Sequence, residues 1–547
     1  MRCYFLLNFF IIALLTECFG QMKEKADLIV YDAKIYSTDQ KFSIKEAFAV
    51  KDGKFLAVGT SKVIRERFSS DSMINASGKT IVPGFIDAHS HFFGYATGLQ
   101  QVDLTGTSSF EEVLSRLKDA VTAFPGEWLV GRGWDQNTWP VKLFPSRTEL
   151  DRLFPDRPVV LIRIDGHCVL ANEAAIKMSG IIGSQHFLPG EIGMADGKPT
   201  GIFCETAADY MRRSIPPPSS KTQATLLQHA QENCFAAGLT CVADAGLELN
   251  NVLFLDSLQH SGLMKIRLNI MLNPSAESIS HFIKNGPYRT DLMNVRSIKL
   301  YADGSLGSRT ALLKQPYSDQ PGKSGILVTP VDRIRDVSAL ALKYHYQLNT
   351  HAIGDSAVKL VLQVYGEYLK GKNDLRWRIE HAQVVDPEDL PMFGKYSVIP
   401  SVQATHATSD MYWAEERLGK TRIRWAYPYR DLLKQNGWIA NGTDFPVEHI
   451  EPLYTFYAAV ARKDFKGFPD GGFQVENALA REDALRSITI WAAKASFQED
   501  RIGSIENGKS ADFVILDQDI MKIAESEITK TRVIATFIGG KKVYGEK

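Results

Sequence analysis

The chain has 547 residues, 44% hydrophobic and 23% charged, a globular composition with enough apolar material for a large core and a smaller second unit. Its 63 basic and 63 acidic residues cancel. With no basic excess or patch, nothing electrostatic points to nucleic acid or to an anionic membrane surface.

Residues 1–20 stand apart. Arg2 is followed by an apolar stretch from Cys3 to Leu15 and then by small or modest residues up to Gly20, the pattern of a signal peptide cleaved after Gly20. The stretch is short for a membrane span. A lipid-anchoring motif around Leu15-Thr16-Glu17-Cys18 is a poor fit because of Glu17. The expectation is an exported protein, periplasmic or secreted, with no membrane span once the signal is removed. Cys168, Cys204, Cys234 and Cys241 then remain. That is too few for a disulfide scaffold, and free buried thiols are expected.

From Ala26 to about Thr80 short strands alternate, with an Asp52-Gly53 hairpin signal between EAFAV and KFLAVG. The far end, 505–547, looks alike: SADFVILD, then VIATFIGGKKVYG with a Gly539-Gly540 turn. One composite β-sandwich from residues 26–80 and 505–547 is expected, two separate β appendages being the alternative. Between them, in residues 81–504, strands alternate with helical stretches, as in VRSIKLYADG, DRIRDVSALALKYHY, QLNTHAIGD, SAVKLVLQVYGEYLKG and RWRIEHAQ. This is the pattern of βα units around a parallel sheet, with enough units for a closed (β/α)8 TIM-like barrel. Residues from about 105 to 240 fit the pattern less well and are read as an insertion over the barrel mouth.

The stretch IVPGFIDAHSHF places His89 and His91 on one face of a strand end. Two imidazoles so placed suit a metal, though the pair alone is a weak signal. Lys299 lies on SIKLYADG, His351 ends LNTHAIGD, His381 ends RIEHAQ and Asp444 ends IANGTDFPV. The intervals, 30 residues from 351 to 381 and 63 from 381 to 444, equal one and two βα units. With Lys299 on the fourth strand, His351, His381 and Asp444 fall at the ends of the fifth, sixth and eighth. Functional side chains of such barrels sit at those ends.

The segments VPGFIDAHSHF, RIDGHCVLANEAA, KLYADGSLGSRTA, THAIGD, RIEHAQ, SVQATH and NGTDFPV, in this order over nearly the whole chain, resemble the amidohydrolase superfamily, in particular the YtcJ-like branch that includes N-substituted formamide deformylase. The resemblance implies a metal-bearing barrel with a sandwich from both chain ends. Carried over, it makes His89, His91 and Asp444 ligands of one divalent metal and His351 and His381 ligands of a second. Zinc is expected, one or two per chain. Lys299 would bridge them as a carbamate, since a lysine ammonium has no lone pair to offer. An ordinary buried lysine beside a single metal is the alternative.

The implied chemistry is cleavage of an amide or formamide-like C–N bond by a metal-bound hydroxide, zinc lowering the pKa of water to about 7. Asp444 would act as general base and then acid. His406, ending SVQATH, would stabilise the carbonyl oxyanion. The resemblance places His167 against substrate. Glu205 is read either as a pocket residue or as the partner of an arginine. Arg309 and Asp303 are assigned to the loop after Lys299, with Asp303-Gly304 as a turn. Trp134, Trp139 and Trp413 line an apolar pocket or fill the core. The alternatives are an esterase or lactonase using the same site, and a non-catalytic exported binding protein. A small-molecule substrate is expected, and a homodimer is compatible with the resemblance.

Overall fold

The computed structural model describes residues 23–124, 126–182 and 187–545, so the signal-peptide reading of residues 1–20 lies outside the described residues. Its centre is a barrel of parallel strands: β1 (Phe85–Ser90), β2 (Leu239–Leu247), β3 (Arg267–Leu272), β4 (Met293–Tyr301), β5 (Gln347–Ala352), β6 (Arg378–His381), β7 (Ile399–Val402) and β8 (Ala440–Asn441). Each pairs with the next in parallel register, from β1 on β2 round to β7 on β8. The barrel closes just past the end of β8. There Asp444 N donates to His89 O (2.8 Å) and His91 N to Phe445 O (2.8 Å). Every residue of β1, β3, β5, β6 and β7 is buried, as strands covered on one face by helices and filled on the other must be. Those strands mix apolar residues with buried polar ones, among them the histidines of the site.

The strand Thr80–Pro83 enters β1 directly. Gly84 makes the joint. A Cβ built on it would lie 2.3 Å from Thr240 Oγ1 on β2, so no larger residue fits without displacing that strand. Thr80–Pro83 also pairs antiparallel with Phe513–Leu516 from the far end of the chain. One sheet runs Lys541–Tyr544, Val533–Ile538, Phe513–Leu516, Thr80–Pro83, Lys34–Tyr36 and Ile44–Lys45; the facing sheet runs Lys54–Gly59, Ala47–Lys51, Leu28–Tyr31 and Met73–Asn75. Phe48, Phe55, Phe513 and Phe537 fill the space between them, with the Phe513 and Phe537 rings stacked at 4.3 Å. Both chain ends thus build one sandwich.

Between β1 and β2 the chain adds a further sheet with the strand order Val102–Asp103, Leu129–Trp134, Val159–Arg163, Cys168–Ala171, Lys198–Cys204 and Ile192–Ala195. Apolar clusters cover both faces, Leu104, Trp134 and Leu161 on one and Val160, Phe203 and Met211 on the other. The helix Ser220–Ala236 shares the main barrel core through Leu226, Leu227 and Ala230. Cys168 and Cys204 are bonded as a disulfide, which corrects the expectation of free thiols. The two residues are direct partners on antiparallel strands, Cα atoms 4.1 Å apart, a proximity that their separation of 36 residues does not reveal. Cys234 and Cys241 are free and buried. Among the described residues no helix is long and apolar enough to cross a membrane.

Candidate metal centre and active site

His89, at the end of β1, is fully buried, and its Nδ1 meets Glu380 Oε2 of β6 at 2.5 Å. His91 Nδ1 meets the carbonyl of Ala245 at 3.1 Å. Both Nδ1 atoms therefore carry the proton, and both Nε2 atoms present lone pairs. These lone pairs face Asp444 Oδ1, at 3.6 Å from His89 and 3.2 Å from His91. Three acceptors converge with no proton left to place between them, and Asp444 Oδ1 is sealed from solvent without a hydrogen-bond partner. Such a cradle fits a cation, and His89, His91 and Asp444 lie close enough together to hold one.

A second group of matching compactness is His381, His406 and Asp444. His381 Nδ1 is also buried without a partner. The sequence pairs His351 with His381. The structure does bring their rings to 4.5 Å, but His351 Nε2 is turned to Gly304 O (3.2 Å), and His351 lies outside both compact groups. Lys299 Nζ, at the end of β4, lies 3.3 Å from His89 Nε2.

Electrostatics keep His89, His351 and His381 neutral. Burial, then the Lys299 charge, brings His89 down to about 4. Burial and the neighbouring imidazoles hold His351 well below its usual value, and His381 is lowered chiefly by burial. Lys299 falls to about 8 through burial. Asp444 stays well below the usual carboxylate range. Burial opposes this, and the hydrogen bond from His406 outweighs it. His406 goes the other way, to about 10. Burial again opposes, but Asp444 (3.3 Å) and Glu448 (2.9 Å) flank its two nitrogens. Asp444 and His381 hold left-handed φ angles of 63° and 72°, so the site carries some backbone strain.

His167 projects from the added sheet so that its ring lies 5.2 Å from that of His351. Its Nδ1 pairs with Glu205 at 2.9 Å, so Glu205 partners a histidine rather than an arginine. Trp413 lines a cavity of about 120 Å³ together with His381, His406, Asp444 and Asp410. Trp134 and Trp139 do not reach it. They pack in the core of the added sheet, their indole N–H groups bonded to Leu161 O and Thr107 O. Arg309 is held by Asp319 on the loop after β4. A larger hollow, about 840 Å³, opens beside the sandwich, lined by residues such as Ile74, Leu453 and Ile534, and contains none of the site residues.

Three supporting residues, Glu380, Arg378 and Asp87, escape the sequence reading, which names a fourth, Asp303, but favours a turn there. Glu380 orients His89 and is itself held near 2, burial being outweighed by Arg378 and His89. Arg378 pairs with Glu380 (2.7 Å) and ties β6 to β1 and β7 through Ala88 O and Ser401 Oγ. Asp87 accepts from Thr443 N and Oγ1 across the closing seam. Asp303, expected merely in a turn, is buried and accepts from the backbone N–H groups of Leu312, Ile353 and Gly354. The alternating charges Arg378 and Glu380 inside RWRIEH were the available signal, since charges on a strand buried on both faces must serve something.

The sequence profile described as the amidohydrolase family matches residues 72–544. The chain belongs to that family. It is 32% identical to the protein LONG AFTER FAR-RED 3 of Arabidopsis thaliana, over 95% of this chain and 92% of that one. YtcJ of Bacillus subtilis is 29% identical over 93% and 98% of the two chains, and the N-substituted formamide deformylase of Arthrobacter pascens 26% over 95% and 98%. Among solved structures, an uncharacterised metal-dependent hydrolase from Pyrococcus horikoshii superposes with a TM-score of 0.75 at 29% identity, covering 91% of this chain and 99% of that chain. The amidohydrolase is a hydrolase on a mixed α/β barrel, with His/Asp groups suited to a metal.

Proposed function

We propose that the amidohydrolase cleaves an amide-type C–N bond of a small molecule, water being added to give a carboxylic acid and an amine. The convergence of the His89 and His91 lone pairs on Asp444 carries this reading, and the similarity to a protein named for deformylating N-substituted formamides supports the bond type. His89, His91 and Asp444 would hold one divalent cation, zinc by donor chemistry. His381 and His351 would help hold a second, with a carboxylated Lys299 as a further oxygen donor. A bound divalent cation lowers the pKa of water towards 7 and polarises a carbonyl.

The protein's own groups do the rest. Asp444, ionised and central, accepts a proton from the attacking water and returns it to the departing nitrogen, without which an amide anion would be too basic to leave. His406, kept protonated between Asp444 and Glu448, faces the cavity with a positive charge where the carbonyl oxygen becomes negative. Trp413 supplies an apolar wall. Export is part of the same reading, and the Cys168–Cys204 bond supports it, since disulfides persist in oxidising compartments.

The test is metal removal and return. Dialysis against a chelator should abolish hydrolysis of N-substituted formamides, and added zinc should restore it with one or two ions per chain. Asp444→Asn should lower kcat by about 10²-fold or more. Turnover indifferent to chelation would overturn the metal reading. Rapid hydrolysis of esters with no amide cleaved would overturn the bond assignment.

A further inference from the structure

The arginines around the barrel mouth are almost all neutralised. Arg163 lies between Asp135 and Asp165, Arg309 and Arg417 share Asp319, and Arg378 holds Glu380. Arg132, on the strand Leu129–Trp134, is the exception. Its Nη2 makes one long bond, 3.3 Å, to Ile164 O, and its Nε is sealed from solvent with no partner. Among the described residues no carboxylate lies within ion-pairing distance. Asp135, three residues on, pairs with Arg163, and Asp165 is already taken by Arg163 (2.6 Å) and by the hydroxyls of Ser305 and Ser308.

Arg212 stands next to it. Arg212 donates to Gly166 O and pairs with Asp209. The two terminal nitrogens of Arg132 approach the same glycine, 3.7 and 3.8 Å from where a Cβ would stand. Two guanidinium groups thus bracket Gly166 with one carboxylate between them, leaving an uncompensated, largely buried positive charge. Burial and then the Arg212 charge weaken Arg132's hold on its proton, and Asp165 and Asp444 act on it from a distance. Gly166 itself separates Asp165, which lines the cavity, from His167, whose ring lies against His351. The charge therefore sits at the edge of the reaction site. The carboxylates lining the cavity are engaged, Asp135 and Asp165 by Arg163 and Glu448 by His406. Among the described residues none is left over to balance Arg132. A guanidinium with free donors matches a carboxylate in a two-pronged geometry that lysine cannot reproduce.

We propose that Arg132, reinforced by Arg212, binds a carboxylate on the substrate, so that the compound hydrolysed is an amide bearing an acidic group. This rests on the hydrolase reading above and narrows it.

The test uses the metal-loaded protein and matched pairs: N-formyl amino acids with small, aliphatic and aromatic side chains, each beside its decarboxylated partner, such as N-formylphenylalanine and N-formylphenethylamine. At least one acid should exceed its partner tenfold or more in kcat/KM. Arg132→Met should erase that advantage through KM, at least tenfold, while leaving the uncharged partner within twofold. Arg132→Lys should fall between, and it reads the same question should the methionine variant fail to fold. The proposal is overturned when no acid outperforms its partner, or when Arg132→Met depresses both alike. Should no amide be turned over, the hydrolase reading fails separately, and calorimetry with the same pair decides the subsite. Tenfold tighter binding of N-formylphenylalanine, lost in Arg132→Met, supports it; equal binding, or none, overturns it.

Discussion

Glu380 fixes His89 from behind. Its carboxylate sits 2.5 Å from Nδ1, pins the proton there and leaves Nε2 free for a cation. Partners of this kind tune metal affinity by about 10- to 100-fold. Replacing Glu380 with Gln keeps an oxygen for His89 but removes the charge that balances Arg378, which is buried with it. Two effects are expected. Zinc affinity should fall by about 10- to 100-fold in a competition titration. Stability should fall by about 3–5 kcal/mol in urea unfolding, the cost of an unpaired buried charge. Loss of affinity with unchanged stability would mean that Arg378 finds another counter-charge. A conservative change at Gly84 should be worse than its size suggests. Gly84→Ala drives a methyl group into Thr240 and should shift β1, carrying His89 and His91 out of register with Asp444. Reduced metal content in the purified variant would show it.

Strand ends were legible in the sequence because βα spacing is regular. His351 and His381 do close β5 and β6, and Asp444 follows β8. What lay between β1 and β2 was not legible, because the added sheet mixes parallel and antiparallel pairings and its register is set by contacts far apart in sequence. The placement of Trp134 in a core, the partner of Glu205 and the disulfide all depend on that register. The same register makes the disulfide consequential. Cys168 and Cys204 adjoin His167 and Glu205, so the bond clamps the two strands that carry this pair over His351. By chain entropy, closing a loop of this length stabilises the added sheet by about 4 kcal/mol. Replacing both cysteines with Ala should lower the unfolding midpoint. Limited proteolysis should then cut first between residues 102 and 204, with the barrel surviving longer. Identical melting of the variant and the parent would show that the bond contributes nothing to the fold.

At the scale of the molecule, barrel and sandwich are joined by covalent continuity at Gly84 and by a buried ion pair at the opposite end of the barrel from the site. Arg267, opening β3, reaches Asp512 through Nε (2.6 Å) and Nη2 (3.1 Å), and Nη2 also meets Ser510 Oγ. Asp512 Oδ1 in turn accepts from Gly539 N in the carboxy-terminal hairpin. One guanidinium thus ties a barrel strand to strands from the far end of the chain. Such a pair adds little over a well-packed apolar contact, but breaking it leaves Arg267 buried and unmatched, at about 3–5 kcal/mol. Asp512→Asn keeps the shape and removes the charge. The parent chain should unfold in one cooperative transition. The variant should show two, the sandwich melting before the barrel in scanning calorimetry, with metal content unchanged below the first transition because no ligand touches Asp512. A single transition displaced downward with early loss of metal would instead mean that the two layers form one cooperative unit, and that the site depends on the sandwich for its stability.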